Sequence, residues 1–152
     1  MAIKNFPENQ FIRIFGENEK LMISKQVLSS CELSNMRVKI YSKGLNHGKA
    51  RLIIYPQDNI YVPDNLAQPA AISNWLDLYL IESNFYGLVK FDFNRENISS
   101  GNFEIYFELT DYTRNSYDDY FSLVFDFPLP VYGSRKDYFN QAPIAIEVFS
   151  YL

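Results

Sequence analysis

The sequence predicts an all-β fold: a single antiparallel two-sheet β-sandwich of eight or nine strands, immunoglobulin-like or jelly-roll-like. Three observations predict it. Apolar residues recur at every second position along most of the chain, the period of strands with one buried face and one wet face. The alternating pieces are short and are separated by Gly, Pro, Asn and Asp. The 152 residues include 13 Phe and 12 Tyr, side chains that suit a pleated, half-buried surface. A chain of this length fills one core and leaves no room for a second, so residues 1–152 read as one domain that needs neither disulfide nor metal to fold.

The elements follow in order. Residues 1–10 read as an N-terminal arm, and Phe11 to Phe15 as the first strand. Glu19 to Ser30 reads as a strand with Met22 and Ser24 outward, because Leu21, Lys25 and Leu28 align poorly for a helix. Met36, Val38 and Ile40 alternate with Arg37, Lys39 and Tyr41. Ala50, Leu52 and Ile54 alternate with Arg51, Ile53 and Tyr55, and the turn from Gly44 to Gly48 predicts a hairpin of the two. Pro56 ends it, since proline has no N–H for the ladder. Gln57 to Asn59 turns into a short strand, Ile60 to Val62, and residues 63–71 form a loop.

Trp75 to Ile81 predicts a strand apolar on both faces, hence central or covered. Phe85 to Phe93 follows, with Val89, Phe91 and Phe93 inward, and the polar run Asn94 to Asn102 reads as a turn. The cleanest alternation places Phe103, Ile105, Phe107 and Leu109 inward and Glu104, Tyr106, Glu108 and Thr110 outward. Tyr120 to Phe127 repeats the pattern, and residues 111–119 predict an exposed link joining these two strands as a long-looped hairpin. Residues 128–143 hold Pro128, Pro130, Gly133 and Pro143 and read as a long irregular connection. Ile144, Ile146 and Val148 predict the last strand.

Composition restricts the chemistry. A single His and a single Cys leave nothing for clustered imidazoles or thiols. His47 reads as a turn residue and Cys31 as a small buried hydrophobe, in keeping with a reducing compartment. Asp111, Asp118 and Asp119, with Asp58 or Asp64 from other loops, are the one oxygen set to weigh for calcium, and their spacing is not that of an EF-hand. Glu104 and Glu108 lie roughly 13 Å apart on one strand face, too far for a glycosidase pair. No G-x-S-x-G elbow and no glycine-rich phosphate loop occur. The expectation is a protein that is not an enzyme, with no cofactor and no metal. No apolar signal-peptide core and no 18-residue apolar run is present, so the expected location is the cytoplasm or a particle assembled inside a cell, away from membranes. The sequon Asn97-Ile98-Ser99 is read as chance.

The surface carries the rest. The net charge of -4 divides into +4 over residues 1–60 and -8 over residues 61–152. Interleaved strands should average this out; segregated regions would favour complementary contacts. Arg37, Lys39 and Arg51 form a basic patch with Tyr41 and Tyr55 on the outer face of the predicted hairpin, a pattern used by single-strand binders. The pI near 5.0 argues against a nucleic-acid partner. Most Phe residues fall on inward faces, whereas Tyr41, Tyr55, Tyr79, Tyr106 and Tyr120 fall on outer faces. Trp75, Tyr112, Tyr117, Tyr132 and Tyr138 are the candidate contact surface. The leading expectation is a non-catalytic structural or protein–protein interaction module, able to self-associate, and a subunit of a larger assembly such as a virion or tail. The alternative is a carbohydrate-binding module that uses Trp75 or the loop tyrosines to stack sugars.

Overall fold

The computed structural model describes residues 11–14, 19–57, 68–114, 116–124 and 146–151. Among them the strands are β1 (Phe11–Ile14), β2 (Glu19–Leu28), β3 (Cys31–Lys43), β4 (Asn46–Pro56), β5 (Ala71–Ile72), β6 (Leu76–Asp77), β7 (Phe85–Ile98), β8 (Gly101–Arg114), β9 (Tyr120–Val124) and β10 (Ile146–Tyr151). They form two antiparallel sheets. In the first, β3 pairs with β7 along one edge and with β9 and β10 along the other, and β9 pairs onward with β1. In the second, β8 lies between β2 and β4, and the short β5 and β6 both pair with the far edge of β4.

The two sheets pack face to face over the residues that alternation marks as inward. Met36, Val38, Ile40, Phe91, Phe93, Phe121 and Leu123 from the first sheet meet Leu52, Ile54, Phe103, Phe107 and Leu109 from the second. The Phe107 ring crosses the gap, edge-on to Phe91 at 6.2 Å and stacked on Phe121 at 5.8 Å. Burial of each such ring contributes about 2–3 kcal/mol, which makes this triplet the centre of the fold.

Neither predicted hairpin forms. β3 and β4 are neighbours in the chain but belong to opposite sheets, and so do β8 and β9. The left-handed backbone of Gly44 (φ 70°) turns the chain across the sandwich instead of back along the same sheet. The connections from β2 to β3, β7 to β8 and β6 to β7 also change sheets. Alternation identifies a strand and its buried face; it says nothing of whether the next strand lies beside it or opposite.

Three strands run through bulges that break their alternation. Asp111 adopts φ 56° where the pairing of β8 with β4 slips between His47 and Lys49, and β8 continues to Arg114. Arg95 adopts φ 57° where β7 slips against β3, and β7 continues to Ile98 through the run predicted as a turn. In β2 the slip lies between Met22 and Ser24, so Ile23 and Ser24 are both buried and the expected outward Ser24 is corrected. Trp75 to Ile81 is not a central strand: it holds the two-residue β6 and then a 3-10 turn, Leu78–Leu80, with only Leu78 and Ile81 buried. His47 lies in β4 rather than in a turn.

β9 and β10 occupy one lane. Leu123 is opposite Ile40 and Ile146 is opposite Val38, so the chain leaves β3 after Val124 and rejoins it at the next position. The inward and outward phase is unchanged across the gap. β9 and β10 are thus two sequence-distant segments of a single lane. The predicted strand Ile60 to Val62, the arm 1–10, the connection 128–143 and the continuation of β9 to Phe127 lie outside the described residues.

Candidate functional site

The outer face of the second sheet is built from cross-strand rows. Lys20, Glu108 and Arg51 are directly opposite one another on β2, β8 and β4, and so are Met22, Tyr106 and Ile53, then Lys25, Glu104 and Tyr55. Charges from the two halves of the chain therefore alternate here, as interleaving predicts. Arg51 bonds Glu108 at 3.1 Å, and its guanidinium stacks on the Trp75 ring at 4.1 Å. Trp75 remains 41% exposed, and Tyr79 and Leu80 beside it are exposed as well. Lys20 donates to the Tyr55 hydroxyl and lies 4.5 Å from that ring and 5.4 Å from the Tyr106 ring. Those two rings meet at 89°, so they offer no common plane for a flat ligand.

The outer face of the first sheet differs. Arg37 stacks on Phe149 at 4.6 Å, and Lys39 lies over Tyr86 at 5.0 Å. Tyr41, Tyr120 and Val124 are buried there as a second, smaller cluster against Tyr86. Tyr41 and Tyr120 lie on the outer face as expected, yet they are covered there, packing edge to face at 5.7 Å. The basic patch is corrected. Arg37 and Lys39 are on one sheet and Arg51 is on the other, because the hairpin that would have joined them does not form.

Tyr112 is not a surface residue. The Asp111 bulge turns it inward to 7% exposure, and its hydroxyl donates to Asn46 Oδ1 at 2.6 Å. Asn46, fully buried, donates in turn to Ser42 Oγ, Lys43 O and Tyr120 O at 2.8, 3.2 and 3.1 Å. One amide thus ties β4 and β8 of one sheet to β3 and β9 of the other. Burial pushes the Tyr112 phenol above its usual pKa, against the opposing pull of Arg114. Tyr117, by contrast, is 86% exposed in the turn before β9, with the Arg114 guanidinium 5.2 Å from its ring. Tyr132 and Tyr138 lie outside the described residues. The structure thus separates Trp75 and Tyr117, which are exposed, from Tyr112, which is not.

Two features escape sequence reasoning. Phe149, on the outer side of β10, is 36% exposed with Arg37 upon it. The flanks of the sandwich also differ. On one flank Asn74 N–H donates to Asp92 O at 2.8 Å, and Asn74 pairs its amide with that of Asn94, closing β7 against the second sheet. On the other, β2 and β10 each pair on one edge only among the described residues.

Among the described residues no three His, Cys, Asp or Glu side chains gather as a metal site, and no helix is long and apolar enough to cross a membrane. No protein-family model matches the chain, and no curated protein or solved structure matches it.

Proposed function

We propose that this chain is a non-catalytic structural or interaction module, a subunit of a larger assembly such as a virion or tail, built on a jelly roll. The order β1-β9-β3-β7 against β2-β8-β4-β5 favours the jelly roll over the immunoglobulin layout. Architecture alone does not supply a function. The observation that carries the reading is the shared lane of β9 and β10. Residues 120–124 and 146–151 fill successive positions beside β3, so the 21 residues between them are not needed to continue that lane, and long connections within compact domains often carry function. Residues 125–145 include Tyr132 and Tyr138 among prolines, a composition suited to partner contact.

Joining Val124 directly to Ile146 tests this. The spliced chain keeps a cooperative β-sheet unfolding transition, because the β9 and β10 register already matches. It loses the largest species that the full chain forms in light scattering at micromolar concentration and above. A spliced chain with the same mass distribution as the full chain would remove the excursion from the assembly.

A second reading, glycan binding, is favoured by Trp75, whose ring Arg51 holds while 41% of the residue stays exposed. Trp75 is the sole tryptophan, so its fluorescence reports the site without background. A saturable change with an oligosaccharide supports this reading, and a flat response across a glycan panel ends it.

A further inference from the structure

We propose that the site at Trp75 takes a neutral hexopyranose, stacked on the indole with its hydroxyls against the Asn74–Asn94 amide pair, and has no preference for acidic glycans. The proposal rests on the glycan reading above and names the ligand of that site.

The ring is presented by a fixed arch. Between β5 and β6 the chain leaves the edge of β4 and crosses to the first sheet. Ser73 holds the near foot: its N–H donates to Leu52 O at 2.9 Å, and its Oγ accepts from Leu52 N–H at 2.8 Å and donates to Asn74 O at 3.0 Å. Asn74 holds the far side through its N–H to Asp92 O at 2.8 Å and through the Asn94 amide. Trp75 leaves this clamp and lays one face of its ring on the Arg51 guanidinium, which Glu108 holds in turn. Its 41% exposure therefore belongs to the opposite face and the rim. A ring whose backbone and back face are already fixed loses little freedom on binding. The chain on either side of residues 58–67 stands at the Ile54 to Gln57 end of β4, beyond Ile53 from Arg51.

Two observations set the class of ligand. The first is charge. Around the ring each charge has its opposite beside it: Arg51 with Glu108 at 3.1 Å, Lys90 with Asp92 at 3.3 Å, and Lys49 opposite Asp77 in the ladder. Lys20, the further cation of the Glu108 row, is drawn over the Tyr55 ring. Arg51 has Nη2 on Glu108 and Nε buried, so its guanidinium is not offered to a carboxylate or sulfate. A ligand gains nothing here from carrying a charge.

The second is the amide pair. Asn74 and Asn94 bond each other through both side chains, at 3.3 and 2.8 Å, and each exposed amide keeps a second N–H and a second lone pair. Neutral donors and acceptors side by side match vicinal hydroxyls, which donate and accept at once. The C–H face of a pyranose supplies the apolar complement to the indole. One platform and two amides make a small site, so the affinity is weak, with a Kd of about a millimolar.

The probes are lactose, cellobiose and mannobiose as neutral disaccharides, with digalacturonate and a sulfated heparin disaccharide as acidic ones of the same size. At least one neutral probe shifts Trp75 emission saturably, and its affinity stays within about twofold between about 50 and 500 mM salt. The acidic probes bind no more tightly. Asn94→Ala weakens the neutral probe at least about fivefold, and Asn94→Asp, which keeps the shape and loses the donor, weakens it too. Both keep the Trp75 emission spectrum of the parent, which a collapsed arch would not. Tighter binding of an acidic probe that fades with salt would overturn the proposal and leave the glycan reading standing. Neutral binding indifferent to both Asn94 variants would overturn it as well, by removing the amide pair from the site. Silence from every probe ends the glycan reading itself.

Discussion

Asn46 and Tyr112 show how much depends on one buried amide. Removing the Tyr112 hydroxyl strands Asn46 Oδ1 in the interior, so Tyr112→Phe should lower stability by about 1–2 kcal/mol, seen as an earlier urea midpoint at unchanged slope. Asn46→Ala should cost more, because it removes one hydrogen bond each from the Tyr112 hydroxyl, Ser42 Oγ and two carbonyls. The raised Tyr112 pKa fixes the sign of an alkaline effect. The unfolded phenol ionises at about 10 while the folded one still holds its proton. Stability from this group is therefore complete below pH 10 and falls as pH rises toward the folded value. Tyr112→Phe should flatten that part of the stability profile, measured by denaturant titration from pH 9 upward. Nothing in the sequence separates Tyr112 from Tyr117. The two differ because one follows a bulge and the other crowns a turn.

Bulges mark where elements outrun their sequence pattern. β7 and β8 are legible as far as their alternation lasts, to Phe93 and Thr110, and each then continues past a non-glycine residue in the left-handed region. A single extra residue reverses the phase, so Arg95 to Ile98 and Tyr112 to Arg114 read as loop. At the β8 bulge the facing residue is Gly48, with φ 124°, and a Cβ there would come within 2.9 Å of Thr110 O. Gly48→Ala should therefore cost about 2 kcal/mol or more in chemical unfolding, since neither the backbone angle nor the facing strand can yield cheaply. Asp111→Gly should stay within about 1 kcal/mol of the parent, because relief of left-handed strain offsets the added freedom of the unfolded chain. A large loss in the second variant would mean that the Asp111 side chain, not its backbone, holds the bulge.

At the scale of the molecule, the buried faces were legible and the neighbours were not. Phe91, Phe107 and Phe121 are each assigned inward by alternation, and they meet across the sheets, Phe107 edge-on to one and stacked on the other; Phe107→Ala should cost about 3–5 kcal/mol in thermal or urea unfolding. Pairing was illegible because it depends on which strands of a distant segment share an edge. Charge follows the pairing: β8 brings Glu104 and Glu108 between the lysines and arginine of β2 and β4, and so dissolves a contrast that the linear chain displays. The same topology sets an order of events during synthesis. Since six of the nine links between successive described strands change sheet, β2 has no strand to bond until β8 exists, with Glu19 waiting for Leu109, and β1 waits for residues 121–124. During synthesis β3 and β4 can pair with β7, β5 and β6, while β1 and β2 stay unpaired until β9 and β8 have emerged. Pairing that joins such distant segments slows folding and leaves the edges of β1 and β2 open in the nascent chain.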